Sequence, residues 1–80
     1  MKIKLVTFGI AKEIIGAPEC NLEVKVPCNI GDLKQILMTQ YQEFKKLQSI
    51  KFAINENYQE DHFLLHEGDE VVIIPPVSGG

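Results

Sequence analysis

The residues with the most unusual chemistry close the sequence, where "IIPPVSGG" runs from an apolar stretch through Pro75 and Pro76 to Gly79 and Gly80. Proline fixes φ and lacks an amide donor, so a strand arriving at Pro75 cannot extend its ladder past Ile74. Each proline also restricts its predecessor to extended conformations. Val77, Ser78, Gly79 and Gly80 can then project up to about 13 Å, at roughly 3.3 Å per residue. Two residues without Cβ can thread a channel too narrow for other side chains. The group delivered there is the α-carboxylate of Gly80, a poor acyl donor until activated. ATP can convert it to an acyl-adenylate, and a sulfur nucleophile that displaces AMP leaves a thiocarboxylate. A chain ending this way would carry one sulfur atom to a partner that supplies the catalysis. The competing reading is a frayed end without chemistry, since termini are commonly disordered.

Other chemistry-bearing residues assemble less. His62 and His66 stand four apart with Glu67 and Asp69 nearby. Their setting has turn character, and exposed loop histidines explain it better than a metal site. Cys20 and Cys28 flank an alternating, extended-looking segment. Eight steps at about 3.3 Å put them roughly 26 Å apart. A disulfide needs Cα atoms within about 7 Å, so both are expected to be free thiols. Neither has a neighbouring base in sequence to make it a nucleophile. The sequence contains no GxGxxG and no P-loop. No active site and no metal site are expected in the body of the domain.

The body has to position the tail. Eighty residues, 45% of them hydrophobic, make one domain near the lower end of what folds on a single core. No apolar run approaches the roughly 18 residues of a membrane span, and the N-terminus has no signal-peptide pattern. A cytoplasmic protein without membrane contact is expected. Residues 1–54 hold all eight lysines and five acids, whereas residues 55–80 hold six acids and no lysine or arginine. No basic stripe with interleaved aromatics appears, which disfavours nucleic acid. By sequence distance the acidity lies beside the tail, where a solvated loop or a patch steering a basic partner would be its role.

"KIKLVTF" alternates, with Ile3 and Leu5 inward and Val6 and Phe8 on the face that Lys2 and Lys4 mark as wet. "GIAKEIIG" reads as a short helical turn closed by Gly16. "NLEVKVP" predicts a strand with Leu22, Val24 and Val26 inward, stopped by Pro27. Asn29 is a good N-cap, with Asp32 three residues on. Ile30, Leu33, Ile36, Leu37, Tyr41 and Phe44 follow at helical spacing, with Lys34, Gln35 and Gln42 turned away. "IKFAIN" predicts a third strand, Asn55-Glu56-Asn57 a turn, and Gln59–His62 a short weak strand. "HEGDE" is another turn, and "EVVIIPPV" the last strand, placed within the sheet because Val71 to Ile74 are apolar on both faces. The first two strands form a hairpin-like pair, and the helix after them can cross over to a parallel strand. The order predicts an α+β domain of the β-grasp, ubiquitin-like kind. It has a mixed sheet of four to five strands on one main helix, spanning 1–76, with a flexible Gly-Gly tail at 77–80.

"PPVSGG" preceded by "EGDEVVII", together with "FAIN" and "IKLVTFGIAKEIIG", resembles the small subunits of molybdopterin synthase, over essentially all 80 residues. That family has the β-grasp fold. The resemblance implies that Gly80 is adenylated by an enzyme related to those that charge ubiquitin, which uses ATP, and becomes a 1-thioglycine. No cofactor would be stably bound. The tail would enter a large subunit, in a heterotetramer of two small and two large chains, and donate sulfur to cyclic pyranopterin monophosphate. This chain would contribute Gly79 and Gly80, the extended Pro75–Ser78 segment, and a docking face with Phe8, Lys12 and Ile74. Lys12 stands where some relatives carry arginine, and Ile73 and Ile74 replace an aromatic pair. Sulfur carriers for the thiazole of thiamine share the fold and the Gly-Gly end but usually lack the double proline. A ubiquitin-like modifier joined to lysines through Gly80 is the alternative of another class, and a plain interaction domain a further one.

Overall fold

The computed structural model of the chain describes residues 1–47 and 50–75. Alternation sets the first strand, β1 (Lys2–Thr7), with Ile3 and Leu5 buried and the lysines on the other face. A short helix, α1 (Gly9–Ile15), follows and ends at Gly16, whose φ of 88° is one that glycine adopts without Cβ strain. The chain returns as β2 (Glu19–Glu23), antiparallel to β1. This is the expected pair, joined by α1 rather than by a tight turn.

The main helix, α2 (Ile30–Gln40), begins at a reciprocal cap. Asn29 accepts the Asp32 amide at 2.7 Å, and the Asp32 carboxylate accepts the Asn29 amide at 3.1 Å. Two amides without an intrahelical partner are thus satisfied. Ile30, Leu33 and Leu37 form its buried stripe. The helix stops at Gln40, earlier than the apolar spacing suggests. Tyr41 leaves helical geometry, and Phe44 reaches the core from a separate 3₁₀ turn, Gln42–Lys46. Tyr41 and Phe44 meet edge to face at 6.1 Å.

β3 (Lys51–Ile54), β4 (Asn57–Gln59) and β5 (Glu70–Ile74) complete a five-stranded sheet of order β2-β1-β5-β3-β4. β5 lies at its centre, as the two-sided apolar pattern requires. It pairs in parallel with β1 and antiparallel with β3. The crossover through α2 therefore leads to β3, with β1 and β5 between it and β2, and the parallel pairing is made by β5. Val71 and Ile73 are fully buried on the helix side with Ile3, Leu5, Phe52 and Ile54. Burying such a side chain contributes about 1.5–3 kcal/mol.

Three expectations are corrected. The weak strand is not at Gln59–His62; β4 begins at Asn57, because Asn55 and Glu56 alone make the reversal, both at positive φ. Val26 is 71% exposed rather than inward. The β1–β2 pairing ends where the Val24 amide donates to the Met1 carbonyl at 2.9 Å, and the chain then bends so that Cys28 can accept from the Leu65 amide. Alternation does not survive a bend. Lys34, placed away from the core, lies along it: its ammonium is 2.6 Å from Asp61 and 5.7 Å from the centre of the Phe52 ring.

Candidate functional site

The sheet has one face under α2 and one open face, and the open face is divided along its length. At one end lie Lys2, Lys4, Glu23 and Glu70, with Lys4 bridging Glu70 at 3.9 Å and, along the sheet, Glu19 at 3.4 Å, the β2 residue that stands opposite Val6. Toward the other end the register lines up Val6, Val72, Ala53 and Tyr58 in one row across four strands. One step further, Ile74 stands opposite Lys51, and Phe8 continues the extended line of β1 beyond Thr7. The apolar end of the open face is the end from which the chain leaves β5 into Pro75.

Phe8 is 56% exposed. It serves as N-cap of α1 with extended geometry and no side-chain cap bond, so its ring rather than a polar group occupies the corner. Gly9 follows at φ +54°, and a Cβ there would sit 3.7 Å from the Pro75 ring. The Phe8–Gly9 corner and the root of the tail are thus neighbours in space although 66 residues apart in sequence. The Lys12 amide donates to the Phe8 carbonyl at 3.3 Å, which puts Lys12 one helical turn beyond Phe8 on the same side of α1. Three expected residues, Phe8, Ile74 and Pro75, are gathered at one corner, and Lys12 stands exposed beside it. Pro76, Val77, Ser78, Gly79 and Gly80, and with them the expected boundary between body and tail, lie outside the described residues.

Ala53, Tyr58 and Lys51 were not singled out from sequence. Tyr58 is 67% exposed, and its signal was there: an aromatic three residues after Asn55, on the face opposite Phe52 and Ile54. Finding it requires the two-residue reversal at Asn55-Glu56.

The acidity is not where sequence distance puts it. Glu67 and Asp69 precede β5 and Glu70 opens it, and β5 carries the chain away from them by about 13 Å, four steps of roughly 3.3 Å. The Asn55–Glu56 turn joins them at that far end, where the Asn55 amide donates to the Glu70 carbonyl. His66 is exposed there, 3.9 Å from Asp69. Among the described residues no three His, Cys, Asp or Glu stand together as metal ligands would. Both cysteines are free, and burial pushes each thiol pKa up, Cys28 further under the charge of Asp32. Neither is poised as a thiolate.

The sequence profile of the ThiS family matches residues 5–80. The chain belongs to the ThiS family. It is 35% identical, over the full length of both chains, to the molybdopterin synthase sulfur carrier subunit of Chlamydomonas reinhardtii. Among solved structures it resembles a putative molybdopterin converting factor, subunit 1, from Pyrococcus furiosus, with a TM-score of 0.88 at 23% identity over 96% of this chain and 99% of that one. The small archaeal modifier protein 1 of Methanosarcina acetivorans matches at 0.75 and 30% identity, over 99% and 96%. A chain of the Helicobacter pylori complex of subunits 1 and 2 of the molybdopterin-converting factor matches at 0.68 and 22%, over the whole of both. These likenesses make the fold the β-grasp. No helix among the described residues is long and apolar enough to cross a membrane.

Proposed function

We propose that this ThiS-family chain is the sulfur-carrying small subunit of a molybdopterin synthase, working in the cytoplasm. The observation that carries the reading is the coincidence of an apolar, open sheet end with the root of a Pro-Pro-Val-Ser-Gly-Gly tail. Gly80 is adenylated by a ubiquitin-activating-like adenylyltransferase at the expense of ATP. Sulfur then replaces AMP, giving a C-terminal thiocarboxylate. The face of Val6, Phe8, Val72, Ile74 and Tyr58, with Lys12 beside it, docks on a large subunit in a two-plus-two assembly, and Pro75–Gly79 lead Gly80 into its active centre. There the terminal sulfur attacks the cyclic pyranopterin monophosphate, and two transfers build the dithiolene. The chain supplies the nucleophile, and the large subunit the catalytic side chains. The 35% identity to a sulfur carrier subunit supports this reading.

Thiocarboxylated chain incubated with a purified large subunit and the precursor is expected to yield the dithiolene product, and the untreated carboxylate form none. Failure of the thiocarboxylated form would overturn the reading. A second reading, conjugation of Gly80 to lysines of other proteins, is favoured by the 30% identity to an archaeal modifier. Mass spectrometry of the chain from its own cells separates the two. A sulfur-for-oxygen exchange at the terminus marks the carrier, and Gly80-linked lysine conjugates mark the modifier.

A further inference from the structure

Lys51 opens β3 directly opposite Ile74, the last paired residue before the tail. Two other lysines are neutralised, Lys4 between Glu19 and Glu70 and Lys34 against Asp61. Among the described residues no carboxylate comes within 4.0 Å of the Lys51 ammonium. Glu60, which shares with it an open groove of about 310 Å³ beyond the β4 edge, does not reach it. Asp61, on the same groove, is taken up by Lys34, and the turns of Glu56 and of Glu67–Glu70 are at the opposite end of the sheet. Lys51 therefore makes no direct ion pair of its own, next to the apolar row and on the rim of the tail root.

A partner that takes in the tail must close over Ile74 and Phe8, and it cannot do so without removing water from Lys51. An ammonium stripped of water and left unpaired costs more than a modest apolar contact returns. We infer that Lys51 is a docking residue whose partner presents a carboxylate at the mouth of its tail channel, so that an ion pair forms beside the entering chain. The assignment rests on the tail-insertion reading above. It adds the kind of surface the acceptor must have, an acidic rim around a channel for a Gly-Gly end. The pair fixes the rotational setting of the two proteins, because the apolar row alone permits sliding along the strands.

Calorimetric titration of the purified large subunit with the full chain tests this at two salt concentrations. Lys51→Glu is expected to weaken binding at least about 30-fold and Lys51→Gln about fivefold, with Lys51→Arg close to wild type. Binding of the Gln variant should fall less steeply with salt than that of wild type. Lys25→Glu, at the far end of the molecule, serves as the charge control and should change little. Thermal unfolding of each variant, expected near wild type for an exposed position, separates docking from folding. Equal affinity of wild type and Lys51→Glu would overturn the inference and leave the carrier reading standing. No binding by wild type itself would instead strike the carrier reading.

Discussion

A phenyl ring at a helix N-cap does nothing for the helix. Phe8 makes no cap bond and is more than half exposed, so its removal should hardly disturb the core. A partner covering the apolar row would bury it fully. Phe8→Lys is therefore expected to weaken large-subunit binding by about tenfold or more while shifting the unfolding midpoint by only a few degrees. Unchanged affinity by calorimetry, or loss of the fold, would contradict this. Cys28 behaves oppositely, with a structural effect and no role in docking. It is 2% exposed and its thiol donates toward the Asn29 carbonyl at 3.6 Å, so the fold favours the protonated form. Its folded pKa is raised, so its contribution is complete below the unfolded value and is lost as the pH rises through the folded one. The thiol's ordinary value of 9.0 places the onset near that pH. Cys28→Ala should show a shallower alkaline loss of stability from there, measured by urea unfolding across pH. An identical slope would show that the thiol is not held protonated.

Where the physics was local, the elements could be read from the sequence alone. The Asn29–Asp32 cap is such a case, because both partners lie within one turn. Asn29→Ala removes the acceptor of the Asp32 amide, while the backbone amide of residue 29 can still donate to the Asp32 carboxylate. It should cost about 1 kcal/mol, read as a lower urea midpoint with an unchanged slope. The β3–β4 reversal shows the limit. Asn-Glu is not a favoured pair for a two-residue turn, so the sequence suggested a wider loop and a later strand. The structure holds Asn55 at φ 49° and Glu56 at 75°. Asn tolerates that region, but Glu carries a Cβ penalty there. Glu56→Gly should accordingly stabilise the domain by about 0.5–1 kcal/mol, some 2–8 °C in melting temperature. A lower melting temperature would mean that the turn is not of this kind. Val26 and the end of α2 were misplaced for a related reason. Which residue a strand or helix ends on depends on where its packing partner runs out, and periodicity does not contain that.

At the scale of the whole molecule, chain direction reorganises what sequence distance suggests. Six acids among the last 26 residues read as an acidic setting for the tail, yet a single central strand carries the chain away from most of them. It delivers the chain to a corner of Phe8, Ile74 and two exposed lysines. The grasp topology makes this possible by placing the final strand in the middle of the sheet, parallel to the first. The same arrangement separates stability from chemistry. The paired ladder of β5 ends at Ile74 and the core at Ile73, six and seven residues before Gly80. Removing Gly80, or adding one residue after it, therefore leaves every described contact in place. The unfolding midpoint should stay within error of wild type, since surface and terminal changes away from such contacts are worth about 0.5 kcal/mol or less. Sulfur transfer should fall to background in both variants, because the terminal carboxylate is drawn back by a residue's length in one and carried forward by as much in the other. Product formation with either, measured with large subunit and precursor, would show that the reactive group is not the end of this chain.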